Sequence, residues 1–262
     1  MRKISLTLAS VLALVLALCA CGAEAKTAKE EASPVVEATS TPEPSPEPTP
    51  TPEPEPVIDY EITYTSCKVA TDSQGRNTYA YVIIVAENTG DCAISLDYET
   101  PSYYDLVDEN GNVVETKNLY GGNPTVMEPG EKAYFSFQEV ITTGEKTLSV
   151  VPYLCFRESI DEIEFLPVSD VTFGRDPKEH CPNGVIASGT VKNTTGKMVT
   201  SCIIYAVLFS GDEPVCVLTA NVYDPIHTDA EAAFSTMDGR DMQMFVNLNN
   251  VTSCEAFAYI LK

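Results

Sequence analysis

The sequence feature that most constrains the fold is an internal repeat of about one hundred residues. A strand-like segment ending in Asn88-Thr89-Gly90 has a counterpart that begins its turn at Asn193. Residues 129–135 find a second match in residues 229–234. The two asparagines are 105 residues apart, and Phe135 and Phe234 are 99 apart, so the offset is nearly constant. Because this length is the size of a β-sandwich domain, the sequence predicts two tandem domains, 57–160 and 161–262.

Within each half the residue pattern indicates short strands. Residues 78–86 and 200–209 are rich in Val, Ile and Tyr and are bounded by Asn, Thr and Gly. Apolar and polar residues alternate over 132–137, which predicts one inward face. Asn110-Gly111 predicts a tight hairpin with two positive φ angles. Two stretches, 158–165 and 239–246, are candidates for short helices without clear caps.

The N-terminus has the three parts of a secretory signal. Arg2 and Lys3 precede an apolar segment over residues 4–18, and small residues follow it. A transmembrane helix is the alternative, but fifteen residues reach only ~22 Å of the ~30 Å hydrocarbon core. We therefore expect export and removal of residues 1–20.

The end of this signal, Leu18-Cys19-Ala20-Cys21-Gly22, resembles the lipobox of bacterial lipoprotein precursors. The resemblance implies that Cys21 is acylated, because Ala20 supplies the small residue before it. Cys19 fits less well, since Leu18 would occupy the small position. Two or three acyl chains on Cys21 would hold the protein stably at the outer face of the cytoplasmic membrane.

Residues 21–56 are predicted to be a disordered linker. From Thr41 onward proline occupies nearly every second position, which excludes both a helix and a sheet ladder. The segment has too few large apolar side chains to offset its ordering entropy. In polyproline II geometry it would extend to ~110 Å. A stalk is favoured over a proline-rich docking ligand, because docking domains of that kind are cytosolic partners.

The strand ending in an Asn-Thr turn, the hairpin and the apolar strand introduced by Pro129-Gly130-Glu131 together resemble FxLYD-type domains. They are also similar to related immunoglobulin-like domains in lipoproteins of Gram-positive bacteria. The second half fits best through residues 189–194, although it lacks the motif that names the family. The resemblance implies an all-β fold of two tandem immunoglobulin-like β-sandwich domains after the signal peptide and linker. It implies no catalytic residues.

Charge and motifs exclude several classes of function. The net charge is −22, of which −18 lies in residues 57–262, so nucleic-acid binding is disfavoured. The loop around Asp108 lacks two oxygen ligands of an EF-hand, and His180-Cys181 has no companion metal-binding motif. No nucleophile motif is present. We expect no metal, no cofactor and no enzymatic activity.

Seven cysteines follow Cys21, at positions 67, 92, 155, 181, 202, 216 and 254. Export permits disulfides, and Cys67 with Cys155 is the candidate pair, joining the first and last strands of the first domain. Cys202, Cys216 and Cys254 lie in apolar runs, where a free thiol behaves as a small hydrophobe.

The candidate contact residues are the tyrosines of the first domain: Tyr98, Tyr103, Tyr104 and Tyr120. Their amphipathic rings suit a partner protein or a sugar, although strand tyrosines often only pack a core. The sequence predicts a lipid-anchored interaction module for an unknown extracellular protein or glycan. One alternative is a solute- or carbohydrate-binding lipoprotein that uses these tyrosines. Another is a hydrolase with an unrecognised carboxylate site. Asp161, Glu162 and Glu164 are close in the sequence, but acids are so abundant that such pairings are expected by chance.

We expect the protein extracted from membranes to begin at Cys21 and to carry added acyl mass. Cys21→Ala protein should be soluble or unprocessed, since the thiol that receives the lipid is gone. Intact mass spectrometry of the two proteins checks this. If both retain residues 1–20 without lipid, the N-terminus is an uncleaved anchor and the lipobox interpretation is wrong.

Overall fold

The structure is a computed structural model that describes residues 54–142, 144–178, 183–237 and 241–262. The predicted signal peptide, Cys21 and the linker up to residue 53 lie outside the described residues. Residues 54–59 lead without regular structure into the first strand, which begins at Tyr60.

Almost all regular structure in the described residues is β-strand. The nine strands of the first half are β1 (Tyr60–Thr71), β2 (Thr78–Asn88), β3 (Ile94–Leu96), β4 (Tyr103–Val107), β5 (Val113–Asn118), β6 (Val126–Met127), β7 (Lys132–Ile141), β8 (Ser149–Tyr153) and β9 (Phe156–Glu158). The second half contributes β10 (Ile163–Leu166), β11 (Val168–Arg175), β12 (Val185–Lys192), β13 (Cys202–Ser210), β14 (Glu213–Val222), β15 (Glu231–Ser235) and β16 (Ser253–Leu261). Two single-turn 3-10 helices, Met242–Met244 and Leu248–Asn250, precede β16. The prediction of an all-β fold is confirmed.

The strands of the first half form a sandwich of antiparallel sheets. Sheet A has the order β1-β2-β7, and it faces sheet B (β6-β3-β9) and sheet C (β5-β4-β8). One face of β2, with Val82 and Ile84, packs in the same buried cluster as Ile94 of sheet B and Tyr104 and Leu106 of sheet C. The alternation of side chains along β2 therefore supplies this core with every second residue.

The second half forms another sandwich, of sheet D (β10-β16-β13-β14) and sheet E (β11-β12-β15). Ile204 and Ala258 of sheet D share a buried cluster with Val191 and Phe234 of sheet E. Phe135 and Phe234, matched in the sequence repeat, thus lie in the cores of their respective sandwiches.

The two sandwiches pack face to face, sheet A against sheet D. Tyr81, Ile83 and Val85, on the second face of β2, share a buried cluster with Val207 of β13 and Val217 of β14. The tyrosine hydroxyl accepts a hydrogen bond from the Val217 backbone N–H at 2.9 Å. The described residues belong to one compact unit. The assignment of 57–160 and 161–262 as separate domains stays a prediction.

Asn88, the repeat asparagine of the first half, fastens a chain corner. It is almost fully buried at the end of β2, and its amide donates to the carbonyls of Cys92 at 2.8 Å and Met127 at 2.9 Å. Its own backbone carbonyl accepts from the Gly130 N–H at 2.8 Å. One side chain therefore joins three chain segments.

Asn193 makes the same corner in the second half. Its amide donates to the carbonyls of Lys197 at 2.6 Å and Ile226 at 2.8 Å, and its backbone carbonyl accepts from the Asp229 N–H at 3.0 Å. Asn88 and Asn193 thus have the same structural role, in which a buried amide satisfies backbone carbonyls and is satisfied by them. The asparagines of the repeat therefore have a structural role in the described residues.

The sequence interpretation of residues 158–165 as a short helix is wrong. Glu158 ends β9, and Ile163–Leu166 forms β10, which pairs antiparallel with β16. A helix of two turns has the full entropic cost of nucleation and few hydrogen bonds to offset it. Pairing with the edge of β16 instead gives this segment antiparallel backbone hydrogen bonds. In the second stretch, only the 3-10 turn Met242–Met244 is helical among the described residues.

The hairpin between β4 and β5 forms where Asn110-Gly111 predicted it, but with a different turn. Only Gly111 has a positive φ, 82°, and the ladder has a register shift at Leu106/Val107. The Asp108 carboxylate accepts hydrogen bonds from the backbone of Asn110 and from the backbone and amide of Asn112. Hydrogen bonds from Asn112 hold the pKa of Asp108 below its usual range. The carboxylate organises the turn, as in three-residue hairpin loops with a bulge.

We expect Asn193→Ala to lower the free energy of unfolding by about 3 kcal/mol, because the buried Ile226 carbonyl and the part-buried carbonyls of Lys197 and His227 lose the amide donor. Urea denaturation followed by circular dichroism measures the loss. Asn221→Ala is the matched control, since Asn221 is exposed on the edge strand β14; it should change stability by less than about 0.5 kcal/mol. Equal losses in the two variants would contradict the corner role.

Candidate functional site

The predicted lipid attachment site, Cys21, lies outside the described residues. Among the residues that the structure does describe, no helix has the length and apolarity needed to span a membrane.

Two of the four predicted tyrosines lie together beside a small pocket. Tyr98 follows β3 and Tyr120 follows β5, and their side chains are 74 % and 70 % exposed. Both line a cavity of about 200 Å³ whose wall also contains Asp97, Ser102 and Asn118. Aromatic rings of this exposure beside hydrogen-bonding groups are typical of binding surfaces.

A third predicted tyrosine, Tyr103, belongs to a stacked pair on the neighbouring sheet face. Tyr103 on β4 lies opposite Tyr153 on β8, with ring centroids 4.6 Å apart and planes at 19°. Its other cross-strand neighbour is Asn118, which lines the small pocket. The pair is therefore continuous with the pocket. We call Tyr98, Tyr103, Tyr120 and Tyr153 the tyrosine surface.

Polar side chains accompany the tyrosine surface on sheet C. Asp105 lies two residues after Tyr103 on the same face of β4, and its carboxylate accepts a hydrogen bond from Thr116 at 2.5 Å. Asn118 adds an amide beside Tyr103. Acceptors and donors thus stand next to aromatic faces.

Tyr104, the fourth predicted contact residue, does not reach this surface. It is fully buried between sheets A and C, with its ring 5.5 Å from that of Phe137. Burial raises the pKa of its hydroxyl, so the phenol stays neutral. Tyr104 is a core residue, because the side chains of β4 alternate and Tyr103 takes the outer face.

A larger pocket, of about 550 Å³, lies between the two sandwiches. Its walls come from Glu131, Lys132 and Tyr134 at the start of β7 and from Phe165, Tyr205 and Phe257 on sheet D. We call it the junction pocket. Pockets of this size between packed units are common ligand sites.

Cross-strand pairing builds the aromatic wall of the junction pocket. Tyr205 on β13 lies opposite Phe257 on β16, and their rings stack at 4.9 Å with an interplanar angle of 17°. Tyr134 approaches from the first sandwich, with its ring 6.2 Å from that of Tyr205. Burial raises the pKa of both tyrosine hydroxyls, and the carboxylates of Glu131 and Glu255 add to the effect. Both phenols therefore stay neutral.

The predicted disulfide partners are not brought together. Tyr60, at the start of β1, donates its hydroxyl to the Leu154 carbonyl at 2.7 Å, so Cys155 lies beside that end of the strand. Cys67 is seven residues further along β1, which places it roughly 23 Å from Tyr60 at strand rise. A disulfide needs Cα atoms within about 7 Å of each other. Both residues are free thiols in the structure.

The buried cysteines pack as small apolar side chains. Cys202 and Cys216 are fully buried free thiols. Burial raises the pKa of Cys202 to about 11 and that of Cys216 to about 12. Because the thiolate is the reactive form, these two side chains are poor nucleophiles at neutral pH. Cys181 lies outside the described residues.

The other sequence candidates form no recognisable reaction centre in the described part of the chain. There, no group of three or more His, Cys, Asp and Glu side chains is placed to hold a metal ion. Asp161 and Glu162 are exposed between β9 and β10, and Glu164 forms an ion pair with Lys262 at 3.6 Å. His180 lies outside the described residues.

Sequence reasoning missed Tyr153 and the whole junction pocket. Tyr153 follows Val151 at strand spacing, and this alternation was a usable signal for a shared face. The junction pocket had no such signal, because its walls come from distant strands: Tyr134 on β7 and Tyr205 on β13 are 71 residues apart in the sequence. Comparison with known proteins adds no assignment: the chain matches no protein-family model and no curated protein.

Proposed function

We propose that this protein is an exported, lipid-anchored module that binds a partner outside the cell through the tyrosine surface of its first sandwich. The signal, the lipobox-like Cys21 and the proline-rich stalk support the location. In this account the stalk holds the sandwiches away from the membrane, and binding rather than catalysis is the activity.

The tyrosine surface is the observation that carries this proposal. Tyr98 and Tyr120 are mostly exposed, and the stacked pair Tyr103 and Tyr153 remains 36 % and 44 % exposed. A folded chain gains by covering large rings, so four exposed rings in one area favour an interaction site. Val151 lies two residues before Tyr153 on the same face of β8 and is 39 % exposed, so it extends the apolar area.

A glycan is the class of partner that this surface fits best. The apolar faces of sugar rings pack on aromatic side chains, while their hydroxyl groups need nearby donors and acceptors. Asp105, Thr116 and Asn118 supply these groups beside the rings. An extracellular protein is the second candidate, since exposed tyrosines are also enriched at protein interfaces.

The test is co-sedimentation of the full-length protein with insoluble cell-wall glycan. We expect Tyr98→Ala/Tyr120→Ala and Tyr103→Ala/Tyr153→Ala proteins to bind roughly thirtyfold more weakly than wild type, because each of the two rings removed supplies on the order of 1 kcal/mol of contact. Circular dichroism of each variant establishes that it is folded.

Tyr223→Ala is the matched control for these variants. Tyr223 follows β14 in the second sandwich and is 73 % exposed, yet it lies outside the tyrosine surface. It should bind as wild type does. Failure of the wild-type protein to sediment, or equal loss in the Tyr223→Ala variant, would contradict glycan binding at this surface.

A further inference from the structure

The junction pocket marks the place where the first sandwich stops covering sheet D. Over β13 and β14, the outer face of sheet D is buried by β2, with Val207 and Val217 in the shared cluster. Toward the edge strand β10 this cover ends, and Phe165 is left 37 % exposed. The start of β7 forms the opposite wall. The junction pocket is therefore an apolar gap that is separate from the tyrosine surface.

Aromatic side chains form most of the junction pocket's wall. Tyr205 and Phe257 stack side by side on adjacent strands, and Tyr134 closes one side. Tyr205 is 3 % exposed and lies beneath its neighbours, so Phe257 and Phe165 supply the accessible rings of the pocket. Rigid aromatic walls bind flat or branched apolar groups, and they also attract cations through the negative face of the ring.

One acidic and one basic residue line the pocket, Glu131 and Lys132, and the acidic Glu255 acts on Tyr134 beside them. Glu131 lines the pocket, and its carboxylate is held by the Glu128 backbone N–H at 3.0 Å. Lys132, also at the rim, is already paired with Glu87 at 3.5 Å. Glu255 lies two residues before Phe257 on the same face of β16. Among the described residues, neither Glu131 nor Glu255 forms an ion pair.

We propose that the junction pocket binds a small organic cation with an apolar body. The apolar body packs on Phe257 and Phe165, and the ammonium group lies between the aromatic rings and the Glu131 carboxylate. This occupant matches the aromatic walls of the pocket and the Glu131 carboxylate, while Lys132 is paired with Glu87. The charge of −18 over residues 57–262 raises the local concentration of such a cation further.

Other occupants fit less well. The proline-rich linker of the same chain is apolar enough to lie on aromatic rings, but its eight glutamates would meet Glu131 and Glu255. An anionic ligand meets the same repulsion, since Lys132 is neutralised by Glu87. A neutral ligand would use the walls and leave the carboxylates without a counter-charge.

Three probes that share one apolar body separate these cases. Isothermal titration calorimetry of the full-length protein at pH 7 is carried out with 3-phenylpropylammonium, 3-phenyl-1-propanol and 3-phenylpropanoate. We expect saturable binding of the ammonium probe, at least about fivefold tighter than the alcohol. The carboxylate probe should bind more weakly than the alcohol.

Two variants assign the binding to the junction pocket. Glu131→Gln keeps a hydrogen-bond acceptor for the Glu128 N–H, and it should reduce the preference for ammonium over alcohol at least about threefold. Phe257→Leu should weaken both probes together, since it removes an aromatic wall and no charge. Glu109→Gln is the matched control, because Glu109 is exposed at the distant β4–β5 hairpin and its loss changes the net charge equally.

The proposal is overturned if the ammonium probe gives no saturable binding, or if the alcohol binds as tightly. It is also overturned if the carboxylate probe binds tightest, which would favour the acidic linker as the occupant. An equal loss of preference in Glu109→Gln and Glu131→Gln proteins would also overturn it, because the preference would then come from the net charge of the chain and not from the Glu131 carboxylate. Each of these outcomes leaves glycan binding at the tyrosine surface unaffected.

Discussion

The rest of the structure depends on the burial of both faces of β2. Val82 and Ile84 fill the core of the first sandwich, while Ile83 and Val85 pack against sheet D of the second. A strand buried on both sides cannot be exposed without breaking two cores, so each sandwich stabilises the other. The free energy comes from apolar area removed from water, on the order of 25 cal/mol for each square ångström.

Polar groups at the junction define how the sandwiches align. The buried Tyr81 hydroxyl accepts from the Val217 N–H, and the Lys68 ammonium donates to the Phe245 carbonyl at 3.2 Å. Apolar packing alone tolerates sliding, whereas a buried hydrogen bond is lost when its partners shift. These two contacts tie β2 and β1 to fixed positions on the second sandwich. The junction pocket inherits a fixed shape from this alignment.

The strands and the repeat were accessible from the sequence because they are local patterns. Alternation predicted the inward face of β7, and Asn110-Gly111 located a hairpin, although Asp108 changed its turn type. The continuous apolar run of β2 carried a further signal, since strands buried on both faces lose their alternation. That run predicts a second packing partner without saying which sheet provides it.

The candidate sites were accessible only in part, for a physical reason. Exposed tyrosines and core tyrosines have the same composition, and one step along a strand separates Tyr103 on the surface from Tyr104 in the core. The Tyr205–Phe257 wall depends on the register between β13 and β16, which no local pattern contains. Sequence therefore indicated the elements, and long-range pairing decided which side chains meet.

The most direct test of the central claim is native-state hydrogen exchange of wild-type and Ile83→Ala protein, followed strand by strand by mass spectrometry. Shared burial predicts that the slowest amides of β2 and β13 open with the same free energy. It also predicts that Ile83→Ala lowers both values by the same amount, roughly 3 kcal/mol. Loss of protection confined to the first sandwich would contradict the account, because the two sandwiches would then be independent units in mere contact.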